Sequence, residues 1–218
     1  MQEHGQQKTI QKKKPSLLIF AVLILAIPSV LFLLISWYQN NKASLPYFGE
    51  KYSIRNKSPY YAVPDFSFMN QNGKQVDRES FKNKVWIAGY FFTSCPTICP
   101  KMVDNLNQVA TACNDKADII LFSVDPERDS VQRLNKYARL HHINTNNWQL
   151  ATGRKEALYS LARNGFFITA TDGDGSENDF IHSDNVVLID KEFHIRGYYN
   201  ATIPSDIDKL INDIKRLN

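Results

Sequence analysis

The stretch from Val85 to Pro100 limits the possible folds more than any other part of the chain. Val85-Trp86-Ile87-Ala88-Gly89-Tyr90-Phe91-Phe92 is apolar throughout, the pattern of a central strand buried on both faces. Thr93-Ser94-Cys95-Pro96-Thr97-Ile98-Cys99-Pro100 follows at once. Pro100 lacks an N–H and clashes inside a helix, but it fits the first helical position, which predicts a helix opening near Cys99 or Pro100. Both thiols then stand at a helix N-terminus, where the dipole favours thiolate over thiol. Thiolates are soft donors that suit Cu(I), and they are also the nucleophiles of disulfide exchange. The pair therefore points to metal binding, redox exchange or both. A structural disulfide is the plainer alternative, but so small a closed loop adds little stability on entropic grounds.

Around this segment the remaining elements order themselves. Phe66-Ser67-Phe68 and Asn70-Gln71-Asn72-Gly73-Lys74 read as a strand and a turn. Met102, Val103, Leu106, Val109 and Ala110 keep helical spacing through Cys113. Ile119–Val124 is a second buried strand. Val131, Leu134, Tyr137 and Ala138 share one helical face, and Trp148–Leu150 is a short strand. A helix is predicted from Arg154 to Asn164, with Gly165 as its C-terminal cap. Residues 185–190 and 195–199 form a hairpin, and Pro204 opens a last helix with Ile207, Leu210, Ile211 and Ile214 inward. Parallel βαβ units followed by an antiparallel hairpin give an α/β fold, a mixed central sheet with helices on both faces. Thioredoxin-like folds place their cysteines as this chain does, directly after a buried strand and at the start of a helix.

The first part of the chain differs in kind. Leu17 to Ile35 is nearly unbroken apolar, nineteen residues that cover roughly 28 Å as a helix, close to the hydrocarbon thickness of a bilayer. Trp37 and Tyr38 follow as interfacial aromatics, and Lys12-Lys13-Lys14 precede it. By the positive-inside rule the N-terminus is cytoplasmic and the remainder extracytoplasmic. The span is longer than the apolar core of a cleaved signal, and no A-x-A follows it. The expected organisation is a cytoplasmic N-terminus (1–15), a transmembrane anchor (16–38), a tether (39–60) and a thioredoxin-like domain (61–218). Of the net charge of +4, Lys8 and the lysine triplet against Glu3 account for three. The remainder has no basic field or aromatic–basic tract suited to nucleic acid.

One histidine joins this pattern. His182 stands in Phe180-Ile181-His182-Ser183-Asp184, just ahead of the buried strand Val186–Ile189. In a thioredoxin-like topology the loop before this strand meets the cysteine turn, and an imidazole beside two thiolates suits copper. Phe92-Thr-x-Cys-Pro-x-x-Cys-Pro100, Ser123-Val124-Asp125-Pro126-Glu127-Arg128-Asp129 and the His182 loop together resemble the Sco (SenC) family over most of the chain from about Val63. The single N-terminal anchor is similar too. The resemblance implies a copper metallochaperone on a bacterial cytoplasmic membrane, with its domain on the outer side. It implies Cys95, Cys99 and His182 as ligands of Cu(I) or Cu(II), and delivery to the CuA-bearing subunit of cytochrome c oxidase, with an upstream copper donor. One departure stands out: Thr97 occupies a position that is often acidic in the family.

The same residues leave other functions open. As a thiol–disulfide oxidoreductase, Cys95 would attack and Cys99 resolve, with the CuA-site cysteines as clients. A redox or copper sensor is a third reading. Asp125 and Asp129 read as caps of the loop and helix after the strand. Cys113 reads as a small buried hydrophobe, and His141-His142 as helix-terminal cations. Residues 171–179 are acidic but fail the calcium-loop pattern, which needs Gly at position six and Glu at position twelve.

Overall fold

The computed structural model describes residues 17–42, 44–49, 60–113, 116–144, 146–168 and 184–218. They fall into two units, Met1–Ser44 and Leu45–Asn218. In the first, α1 (Leu17–Lys42) is a single helix of 26 residues. Pro28 withholds one backbone donor, and the Ser29 hydroxyl donates to the carbonyl of Leu25 at 2.9 Å. Side chains are described only for Val22 and residues 24–36. Over the described residues no helix is long and apolar enough to cross a membrane.

The second unit is built on one sheet. Its strands are β1 (Ser67–Asn70), β2 (Gln75–Asp77), β3 (Val85–Phe91), β4 (Ala117–Ser123), β5 (Trp148–Thr152), β6 (Asn185–Ile189) and β7 (Ile195–Asn200). They lie in the order β2-β1-β5-β4-β3-β6-β7. β3, β4 and β5 are parallel, and β6 runs antiparallel to β3. All seven residues of β3 are buried, as its unbroken apolar sequence requires. Gly89 is needed at its middle: a Cβ there would stand 2.9 Å from Leu121 and 3.0 Å from Val186.

Four helices, α2 (Ile98–Cys113), α3 (Val131–Leu140), α4 (Lys155–Ser160) and α5 (Pro204–Leu217), cover the sheet. The crossovers β3-α2-β4 and β4-α3-β5 step in the same direction across the sheet. Right-handed connections therefore put α2 and α3 on one face. Their inner residues Met102, Val103, Leu106, Leu134 and Ala138 share one core cluster with Ile207, Leu210 and Ile214 of α5. The opposite face is covered by α4 and the segment around Val63 and Phe66. That second core is aromatic, with Phe66, Phe68, Phe81, Trp86, Tyr90, Phe122 and Phe166 in contact.

Three local features differ from the sequence reading. The helix after Arg154 ends as α4 at Ser160 and continues as one π turn, Leu161–Gly165. Gly165 is not a left-handed cap; Phe167 takes positive φ (52°), while Gly165 allows close approach to Leu161 and Pro64, where a Cβ would stand 2.6 and 3.3 Å away. α3 ends in a Schellman turn, with Ile143 N–H on the Ala138 carbonyl and His142 N–H on the Arg139 carbonyl. His142, at φ 53°, occupies the position glycine usually fills. Finally, Leu45–Gly49 lies along the domain: Phe48 pairs with Ile195, and Arg196 donates to the carbonyls of Leu45 (2.6 Å) and Pro46 (3.1 Å) while bonding Asp190 at 2.8 Å.

Candidate metal centre

The cysteine turn leaves the C-terminal end of β3. Phe92 accepts the Cys95 N–H at 3.3 Å, and α2 begins at Ile98. Pro100 is the third helical residue, two later than its sequence suggested. This is tolerated because the first turn of a helix needs no intrahelical donor there. The consequence is electrostatic. One of the first amides of α2, that of Cys99, donates to the Cys95 sulfur at 3.3 Å.

The two thiols are free and unequal. Burial opposes ionisation of Cys95, but backbone hydrogen bonds from Cys99, Thr97 and Ile98 and one from the Cys99 thiol outweigh it, so its pKa is lowered. Cys99 is buried, and desolvation pushes it up to about 12; Cys95 and Asp129 add to the rise, and a backbone bond from Phe92 works against it. The pair thus consists of one half-exposed sulfur whose thiolate is favoured by backbone donors and one buried sulfur whose thiolate is disfavoured by desolvation. The first is suited to attack or to capture a metal, and the second to follow.

A buried carboxylate holds the start of this turn. Asp129 is fully buried at the end of the loop after β4. Its Oδ2 accepts the Thr93 N–H (3.1 Å) and the Ser123 hydroxyl (2.6 Å), and its Oδ1 accepts the Thr93 hydroxyl. Arg133 Nε donates to the Thr93 hydroxyl oxygen at 2.8 Å. The cap of α3 is Ser130, whose side chain accepts from Arg133 N–H. The sequence reading of Asp129 as a cap is therefore corrected: the adjacent serine satisfies the helix, which frees Asp129 to join β4 to the cysteine turn. Asp125 stays in its own loop, its carbonyl accepting from Arg128 and Asp129.

Cys113 lies at the far end of α2, buried, with its pKa raised by desolvation. It takes no part in the site. His182 and the acidic loop 171–179 lie outside the described residues. Among the described residues no three His, Cys, Asp or Glu side chains gather as a metal cage.

The parallel strands, the antiparallel hairpin and a dithiol at the junction of β3 and α2 define a thioredoxin-type protein. The SCO1/SenC family model matches residues 55–218, and the chain belongs to that family. The SCO1 protein homolog of Bacillus subtilis (strain 168) is 35% identical over 159 residues, covering 71% of this chain and 82% of its own. Among solved structures, BsSco is 33% identical with a TM-score of 0.62, covering 72% of this chain and 93% of its own. It is described as having a disulfide switch and as a member of the Sco family of cytochrome c oxidase assembly proteins. Arabidopsis thaliana ScoI with copper bound is 25% identical with a TM-score of 0.59, covering 72% of this chain and 99% of its own.

Proposed function

We propose that this chain is a membrane-anchored copper metallochaperone that serves assembly of the CuA centre of cytochrome c oxidase. The observation that carries the reading is the dithiol: two free cysteines at one helix N-terminus, one of them electrostatically prepared to ionise. Copper is the cargo, held by Cys95, Cys99 and His182. Two thiolates and an imidazole form a soft, three-donor set that suits Cu(I) and accommodates Cu(II) with a further ligand. Transfer proceeds by ligand exchange, the thiols of the oxidase subunit replacing these in turn, after loading from an upstream donor. The copper-bound and oxidase-assembly relatives support this assignment.

Residues 16–38 anchor the protein in the bacterial cytoplasmic membrane, with 1–15 inside and the domain outside, joined through 39–60, of which Leu45–Gly49 is held against the domain. The apolar run from Leu17 to Ile35, with Lys12-Lys13-Lys14 before it, supports the anchor. Anchoring raises the effective concentration of donor at a membrane-bound acceptor.

The inequality of the two thiols favours a second reading, a thiol–disulfide oxidoreductase that reduces the CuA cysteines. One experiment separates them. The reduced fragment from Ala43 onward is titrated with copper beside Cys95→Ser, Cys99→Ser and His182→Ala, reading metal content and thiolate-to-Cu(II) absorption. One tight copper, lost in all three variants, is the expected outcome. No tight copper, with a readily exchanged Cys95–Cys99 disulfide, leaves the oxidoreductase.

A further inference from the structure

Arg133 stands in the first turn of α3, and its Nε donates to the Thr93 hydroxyl oxygen at 2.8 Å. Thr93 precedes Cys95 by two residues, so their Cα atoms are at most about 7.6 Å apart. The bond holds a planar guanidinium beside the cysteine turn. It engages Nε alone: the fork of terminal nitrogens has no acceptor among the described residues. Asp129 does not occupy that fork. Its approach is to Nε, at 3.9 Å, and its two oxygens already serve Thr93 and Ser123. The Arg133 side chain is 48% exposed.

The charge around the fork is one-sided. Residues 92–101 contain no acidic side chain, and their only cation, Lys101, is exposed on the first turn of α2. On the loop after β4, Asp125 is bonded to Arg128, and Glu127 is the exposed carboxylate. Between the thiols Pro96, Thr97 and Ile98 face solvent, Ile98 at 50%. An exposed apolar tip with an arginine at its rim has the anatomy of a protein-docking surface. A guanidinium fork matches a carboxylate bidentately. We propose that Arg133 is a partner-binding residue, whose fork receives the carboxylate of an Asp or Glu that the partner polypeptide carries beside its own cysteine. The inference rests on the reading of Cys95 and Cys99 as functional thiols and adds to it the charge of the partner they meet.

The test uses the full chain in uncharged detergent, reduced and metal-free. The probes are three small symmetrical disulfides: dithiodipropionate (anionic), hydroxyethyl disulfide (neutral) and cystamine (cationic). Cys95 thiolate attacks one sulfur of the probe. The probe's S–S bond breaks, a mixed disulfide forms, and the other half leaves as thiolate with the electron pair. Loss of free Cys95 is read by acid quench and mass. The ratio of the anionic to the neutral rate cancels any effect of a substitution on the thiol itself. In Arg133→Gln that ratio should fall about fivefold, the upper end for an exposed ion pair. The cationic-to-neutral ratio should rise. Arg133→Lys should recover only part of the loss, because an ammonium keeps the charge without the fork. A ratio in Arg133→Gln within about twofold of wild type, or one that Arg133→Lys restores in full, overturns the proposal. A wild-type chain that exchanges with none of the probes and takes no copper overturns the functional-thiol reading alone. Iodoacetate against iodoacetamide then decides Arg133 by the same ratio, the Cys95 sulfur forming a C–S bond as iodide leaves.

Discussion

Asp129→Asn is the most informative single change in the domain. It preserves shape but exchanges one acceptor oxygen for an NH2 group. Asp129 serves three donors at present: Thr93 N–H, the Thr93 hydroxyl and the Ser123 hydroxyl. With the amide oxygen kept on the side of Thr93 N–H and Ser123, the new NH2 faces the Thr93 hydroxyl, whose own proton loses its acceptor. Ser123 and Asp129 are both fully buried, so water cannot substitute. Each buried donor left unpaired costs about 1–3 kcal/mol. Rotation of the Thr93 hydroxyl relieves part of this, but its oxygen already accepts from Arg133 Nε, and the acceptor that serves Thr93 N–H and Ser123 changes from a carboxylate to a weaker neutral amide oxygen. A net loss of about 2–3 kcal/mol is expected, a sizeable share of the roughly 5–15 kcal/mol that holds a domain. Arg133 adds little, because its 3.9 Å approach to Asp129 is half exposed. The assay is urea unfolding of the fragment from Ala43 in the reduced form, with thermal unfolding expected to fall by about 5–10 °C. Ser123→Ala made in the Asp129→Asn background should cost less than Ser123→Ala in the wild type, since the bond it removes is already weakened. A stability change below about 0.5 kcal/mol, or strict additivity in that cycle, refutes the claim that this carboxylate holds the cysteine turn.

Three further outcomes follow from the thiols and from the Arg196 clasp. At neutral pH iodoacetamide should modify Cys95 well before Cys99. Because the folded-state pKa of Cys99 is raised above its unfolded value, its contribution to stability is full below about pH 9 and is lost as pH rises toward about 12. Cys99→Ser should make that alkaline decline in the urea midpoint shallower, and an identical decline would contradict the assignment. Arg196→Ala removes the bonds to Leu45 and Pro46 and leaves Asp190 without its close cationic partner, at a cost of about 3–5 kcal/mol. Limited proteolysis should then cut the segment before Tyr60 much faster, and Arg196→Lys should restore little because one ammonium cannot replace the planar fork.

What the sequence made legible follows the reach of each rule. Apolar runs located β3 and β4, and helical spacing located the inner faces of α2, α3 and α5, because burial acts on every residue of an element. The thiols were legible for the same reason: their place after a buried strand is a local fact. Asp129 was misread because Asp and Ser stand side by side before a helix and either can cap it. Its link to Thr93 spans 36 residues and exists only once β3 and β4 lie side by side. Gly165 was assigned to a cap from proximity to a helix end; crowding by Leu161 and Pro64 explains it instead.

The Arg196 clasp has a mechanical consequence. Ile195 sits level with Ile189 and Trp86, near the start of β3, whereas the thiols lie beyond its other end. The strand between them is about 20 Å long. Leu45–Gly49 is therefore clasped at the end of the sheet opposite the thiols, so a pull on Leu45 meets the guanidinium of Arg196 before it meets the β3–α2 turn.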